Sequence, residues 1–192
     1  MSIKLLRQGH KAFQKKISQE LTAKYQTLGS KQKPFAMLIT CIDSRIMPEQ
    51  LFDLEPGSIF CLRNIASLVK PNDIAAVSAI EFAVNALKVK DIIVMGHSNC
   101  GGINALINKA GDGAVRAWLE PWHENVTDWQ KTCGNHDIDD FCQKQAAIAS
   151  VENIKKIPCI KTENVTTHAW HCDIATARLS GYNPETKTFS PL

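Results

Sequence analysis

The chain has 192 residues, 44% hydrophobic and 21% charged, with a formal net charge of +3; that suits one globular domain with a sizeable core, and the charge is too mild and scattered for a nucleic-acid surface. No apolar run approaches the roughly 20 residues of a membrane span, and the first residues, Met1 to Gln8, lack the continuous apolar stretch of a secretory signal. Seven irregularly spaced cysteines fit a reducing cytoplasm better than a disulfide framework.

Residues 2–28 contain no proline, and Leu5, Phe13, Ile17, Leu21 and Tyr25 recur at steps of four or eight. The spacing predicts one long amphipathic helix, locally weakened at Gly9. Its apolar row needs cover, from a partner subunit or from the chain's own core. The expected organisation is a single domain over 1–192, with a helical arm at 1–28 and an α/β core at 29–192. Residues 34–41 read as a buried strand and 48–54 as a short helix. Glu55-Pro-Gly57 is a turn, and 58–65 a further strand. Asn72 or Asp73 caps a predicted helix to Leu87, whose apolar residues from Ile74 keep helical spacing.

Ile92 to Met95 form a short, mostly β-branched run expected of a central buried strand. It is predicted to stop at Gly96, which puts His97 and Cys100 in the turn before a helix opening beyond Gly101 and Gly102. Further on, 114–132 reads as a helix with a break at Pro121, and Trp118, Trp122 and Trp129 share its core-packing face. A helix over 139–156 is predicted to end before Pro158, and 166–179 alternates like a strand. Gly181-Tyr-Asn-Pro184 then turns into a short tail. Strands alternating with helices predict an α/β fold: a central, mostly parallel β-sheet flanked by helices.

The chemistry gathers at strand ends. Cys41, His97 and Cys100 each follow a predicted parallel strand, where open α/β sheets build their sites. Three such ligands with a fourth position open make a catalytic zinc pattern. Asp43 either supplies the fourth ligand or is held away from the metal by Arg45 through a forked pair of charge-assisted hydrogen bonds. Arg45 stands too close to Cys41 for a phosphatase loop, which needs five residues between the two. Gly96-His-Ser-Asn-Cys100 nearly matches a hydrolase nucleophile elbow, with Ser98 as nucleophile, but the second glycine is displaced to Gly101. From the residues alone, a zinc-dependent lyase or hydrolase, a structural zinc site and a hydrolase built on Ser98 stay open. His10, His123 and His136 read as solvated, and His168 and His171 as poor co-ligands on opposite strand faces. Cys61, Cys133, Cys142, Cys159 and Cys172 read as buried or incidental.

Cys41-Ile-Asp-Ser-Arg45 followed by Gly96-His-Ser-Asn-Cys-Gly-Gly102 resembles the paired signature of the β-class carbonic anhydrases, among them the plant-type and cyanate-operon-type bacterial members. Glu55-Pro-Gly57, Arg63-Asn64, Glu81 to Val84 and His168-Ala-Trp170 with Asp173 are similar to further family segments. The resemblance implies zinc-dependent reversible hydration of CO2 to bicarbonate and a proton by zinc-bound hydroxide, with one Zn2+ per chain on Cys41, His97 and Cys100. It implies a gating dyad of Asp43 and Arg45, and a bicarbonate-binding Gln32. Phe60, Ile65 and Phe82 line its apolar pocket, beside the Gly101 and Gly102 amides. It also implies a homodimer or larger homo-oligomer. A non-catalytic relative keeping zinc for structure is the alternative. The family's tyrosine and histidine considered for proton transfer are here Phe82 and Ala86, so the resemblance supplies no shuttle. Two thiolates formally cancel the charge of zinc, so the expected activity rises toward alkaline pH.

Overall fold

The computed structural model describes residues 3–192. Two compact units emerge, one ending at Lys33 and one spanning Pro34–Leu192. The first holds α1 (Ile3–Lys16) and α2 (Gln19–Leu28). The single helix expected over 2–28 is thus two, and its start at Met1 and Ser2 lies outside the described residues. The break falls at Ser18 rather than at Gly9. Ser18 takes an extended conformation and its Oγ accepts the Leu21 amide at 3.1 Å, a helix N-cap that competes with continuation. Phe13 and Tyr25 meet edge-to-face across the break.

The second unit runs β1 (Ala36–Cys41), α3 (Pro48–Leu51), β2 (Ile59–Asn64), α4 (Ile74–Glu81), β3 (Asp91–His97), α5 (Gly101–Ile107), α6 (Gly113–Leu119), α7 (His123–Thr132), α8 (Ile138–Ile154), α9 (Pro158–Thr162), β4 (Thr166–Cys172), β5 (Leu179–Asn183) and β6 (Thr188–Pro191). The strands form one sheet in the order β2-β1-β3-β4-β5-β6. Its first four strands are parallel, and β5 and β6 join antiparallel. Every residue of β1 is buried, as a parallel strand covered on both faces must be. Met37, Ile39, Ile92 and Val94 face Ile80 and Val84 and the α8 residues Ala147, Val151 and Ile154. Leu38, Ile93 and Met95 pack with Ile46, Leu51, Phe52 and Trp170. Trp122, Trp129, Leu119 and Leu106 form a third cluster that includes Cys41 and Cys100, so the tryptophan stripe is core.

Several sequence expectations shift. β3 continues through Gly96 to His97, because β4 pairs with it as far as His97 opposite Cys172. The helix capped by Asp73 is α only to Glu81 and continues as a π turn over Phe82–Ala86, a form found most often near functional sites. Pro158 does not follow a helix end directly; it opens α9, where a missing N–H costs nothing. The alternation over 166–179 is two strands around a turn, with Asp173 N–H bonded to the Arg178 carbonyl. Gly181, Tyr182 and Asn183 belong to β5, and the tail pairs as β6. Among the described residues no helix is long and apolar enough to cross a membrane.

Candidate metal centre

Thr40 lies opposite Met95, so β1 and β3 finish side by side, with Cys41 ending one and His97 the other. The chain then turns through Ser98 and Asn99, the latter at φ 54°, to Cys100 at the head of α5. The sulfurs of Cys41 and Cys100 stand 4.0 Å apart, and they and a His97 ring nitrogen lie within 4.8 Å of one another. All three residues are buried.

The donor set fits a zinc ion. Tetrahedral zinc with sulfurs at about 2.3 Å requires a sulfur–sulfur separation of roughly 3.8 Å. His97 Nδ1 lies 2.9 Å from the Ser98 carbonyl, which can only accept, so Nδ1 carries the proton and Nε2 presents a bare lone pair. That Nε2 is buried without a hydrogen-bond partner. Such an orphan costs about 1–3 kcal/mol unless a ligand fills it. The two sulfurs lie within hydrogen-bonding reach of each other. The Cys41 thiol is pushed down, first by hydrogen bonding with Cys100 and against its burial, with help from His97. Cys100 is pushed up by the same bond and by burial, opposed by the Ile103 and Gly102 amides.

Asp43 is fastened from three directions. Arg45 donates from Nε to Oδ1 at 2.9 Å, from Nη2 to Oδ2 at 2.7 Å and from its backbone N–H to Oδ1 at 3.0 Å. This fork, with a smaller contribution from His97, holds the carboxyl well below the usual carboxylate range despite some desolvation. Arg45 Nη2 also donates to the Asn99 carbonyl at 2.9 Å, joining the dyad to the ligand turn. Oδ2 of Asp43 lies 3.9 Å from His97 Nε2. Asp43 is therefore paired with Arg45 in this structure, facing the ligand cluster.

Arg63 is a residue that sequence reasoning did not assign a role. It donates from Nε to the Cys41 carbonyl at 3.0 Å and from Nη2 to the Asp43 carbonyl at 2.8 Å, clamping the backbone that carries ligand and gate. Its signal was a charge near the end of an apolar strand, but only the register opposite Thr40 gives that charge a target. Beyond β2, Ala66 and Ser67 both adopt left-handed backbone, at φ 65° and 58°, at roughly 1–2 kcal/mol each. Gly102 packs against this turn. A Cβ there would come within 2.7 Å of Ile65 Cγ2 and 3.0 Å of Ala66 Cβ, whereas one at Gly101 would meet nothing.

The remaining predicted residues are spread. Ile65 is at the ligand cluster through Gly102. Phe60 and Phe82 meet each other, with centroids 5.9 Å apart. Phe60 is opposite Met37, four residues before Cys41 and so about 13 Å back along the sheet. Gln32 lies exposed in the first unit, after α2. Ser98 Oγ accepts the Ile174 N–H at 2.8 Å, and its own N–H bonds to the Cys172 carbonyl. Its hydroxyl ties down the 173–178 loop. His168 pairs with Asp91 and the buried His171 with Gln143.

Comparison with known proteins agrees with this geometry. The carbonic anhydrase family matches residues 36–179. β-Carbonic anhydrase 5, chloroplastic, of Arabidopsis thaliana is 41% identical over 101 residues, 51% of this chain but only 34% of that protein. The carbonic anhydrase of Pseudomonas aeruginosa is 30% identical over 184 residues, 88% of this chain and 82% of the relative. In fold, the chain superimposes on the β-carbonic anhydrase CcaA with a TM-score of 0.90 at 24% identity, covering 99% of this chain and 92% of that one. The chain belongs to the carbonic anhydrase family, in its β class. The metal of that class is zinc.

Proposed function

We propose that the chain catalyses the reversible hydration of CO2 to bicarbonate and a proton, with zinc on Cys41, His97 and Cys100. The observation that carries the assignment is the bare, buried Nε2 of His97 beside two sulfurs 4.0 Å apart, with an ionised carboxylate held at 3.9 Å. Bound there, zinc supplies a nucleophile by lowering the pKa of water, less strongly with two thiolates than with three imidazoles.

The chain's own groups do the rest. Asp43, ionised and locked by Arg45, can only accept a hydrogen bond. It therefore favours an oxygen that carries a proton in the space beside His97, and aims that oxygen's lone pair away from itself. Arg45 keeps Asp43 off the metal, and Arg63 holds the loop that bears it. Ile65 forms an apolar wall, which suits CO2. Phe60 and Phe82, far along the sheet from this chain's own cysteines, line a pocket completed by a second copy, and Gln32 is assigned to bicarbonate. Exposed apolar residues on α1 and α2, among them Leu6, Phe13 and Tyr25, support a homo-oligomer of single-domain chains. The seven free cysteines suit the cytoplasm.

The test is stopped-flow CO2 hydration from neutral to alkaline pH, with zinc measured on the same sample. One zinc per chain and activity rising with pH are expected, with both lost in Cys41→Ser. Stoichiometric zinc without hydration at any pH would leave a structural site, and activity surviving metal removal would return attention to Ser98.

A further inference from the structure

Only Ser98 and Asn99 separate His97 from Cys100, and this short turn is held from two other elements. The Ser98 N–H donates to the Cys172 carbonyl at 2.9 Å, the last rung between β3 and β4. The Ser98 Oγ accepts the Ile174 N–H at 2.8 Å. From the other side, Arg45 Nη2 donates to the Asn99 carbonyl at 2.9 Å. The Ser98 carbonyl is left for the ring of His97, whose Nδ1–H it accepts at 2.9 Å. One residue thus serves the metal ligand with its carbonyl and grips the chain after β4 with its amide and hydroxyl.

The loop it grips, residues 173–178, is itself braced. The Asp173 N–H donates to the Arg178 carbonyl at 2.9 Å. Asp173 Oδ1 accepts the Thr176 N–H at 2.8 Å and the Thr176 hydroxyl at 2.9 Å, and Ala177 takes a left-handed backbone at φ 55°. Ala175, Thr176, Ala177 and Arg178 are exposed, whereas Ile174 packs against the cluster of Leu38, Ile93 and Met95. Ile174 is therefore a fixed point: its side chain is in the core, and its N–H, past the end of the strand ladder, is taken up by Ser98. The second ring nitrogen of a histidine ligand sets tautomer and ring plane only as firmly as its own acceptor is held. A serine at 98 supplies that hold; alanine would follow the same backbone path without it.

We propose that Ser98 is a positioning residue for the metal centre: its hydroxyl, clamped to Ile174, fixes the carbonyl that holds the Nδ1 proton of His97, so that the braced 173–178 loop sets the aim of the Nε2 lone pair. The proposal rests on His97 being a metal ligand. It also gives a role to the side chain that most resembles a hydrolase nucleophile, whose oxygen is engaged by an amide instead.

The test uses the full chain loaded with cobalt(II). The paramagnetic ion moves the protons of a bound imidazole far outside the ordinary proton NMR range, so the His97 Nδ1–H is read as a resonance of its own. Its exchange rate with solvent is one readout, and metal release to a chelator is the other. Ser98→Ala is expected to speed exchange of that proton about 10-fold, as the loss of one hydrogen bond predicts, and to release metal about 10-fold faster or more. Ser98→Thr keeps the oxygen and is expected to restore both. Asp173→Ala loosens the loop without removing any group bonded to the ligand turn, and is expected to move both readouts the same way by a smaller factor. Ser150→Ala is the control. Ser150 Oγ accepts the Val69 N–H at 3.1 Å in the core, so this variant removes an equivalent hydroxyl-to-amide bond elsewhere, and its His97 proton is expected to exchange at the wild-type rate. Wild-type exchange and metal release in cooperatively folded Ser98→Ala would overturn the proposal, as would an equal acceleration in Ser150→Ala. Should Ser98→Ala not fold, wild-type values in Asp173→Ala would overturn it instead. A wild-type cobalt protein with no exchangeable shifted resonance would overturn His97 as a ligand through Nε2.

Discussion

Asp43 keeps its charge because Arg45 occupies both of its oxygens, and that charge makes it an acceptor with no donor to offer. Its pKa is depressed by folding, so its bond to Arg45 is intact above the usual carboxylate range and is lost only as pH falls through the lower folded value. No activity change between neutral and alkaline pH should therefore originate at Asp43. Asp43→Asn keeps the shape but adds a donor; kcat/KM is expected to fall by about 100-fold or more, with zinc content unchanged. Stopped-flow rates paired with metal analysis check this, and loss of zinc in step with activity would show Asp43 acting as a ligand instead. At this scale the sequence was most legible for Cys41, His97, Cys100, Asp43 and Arg45, whose side-chain chemistry and strand-end placement can be read directly. Arg63 was not legible, because it acts on backbone carbonyls across a neighbouring strand, and only strand register brings it there.

Among the elements, α5 and the left-handed turn at Ala66 and Ser67 depend on each other at Gly102. Alanine there would gain up to about 1 kcal/mol in helix propensity. Its Cβ would also press on Ile65 and Ala66, in a turn that Ser67 Oγ ties to the Met95 carbonyl, and overpacking of this kind costs about 1–3 kcal/mol. Gly102→Ala is expected to lower Tm by a few degrees and to weaken zinc retention in the same protein; Gly101→Ala, with open space around it, should do neither. Thermal melts with and without chelator separate the two. The elements themselves were legible where one period dominated, as in β1, α4 and α8. They were misread where a polar residue could serve two purposes. Ser18 fits a helix interior by position, yet caps α2. The alternation from Thr166 runs unbroken in pattern through a turn that Asp173 and Thr176 build from side-chain bonds.

The whole molecule carries a pH dependence from His171, which is buried against α8 and bonded to Gln143 at 3.0 Å. Burial lowers its pKa to about 4. Asp140 and Asp173 favour its charge, while Lys144 and His97 oppose it. The unfolded chain binds this proton near the ordinary imidazole value and the folded chain does not, so stability falls as pH drops from about 6.5 toward 4, by on the order of 3 kcal/mol. Denaturant unfolding of wild type and His171→Gln over that range should show a shallower slope in the variant; parallel slopes would place the acid sensitivity elsewhere. The α/β class and the mostly parallel sheet were legible in outline from the rhythm of strands and helices, but the antiparallel β5–β6 edge was hidden in what read as a tail. One consequence of that rhythm concerns assembly in time. Cys41 and Cys100 are 59 residues apart, and the loop between them closes only when β1 finds β3. His97 and Cys100, neighbours in the chain, need no strand pairing to meet, whereas Cys41 reaches them only through it. A metal held by all three would therefore latch a long-range strand pairing, slowing its escape more than hastening its formation.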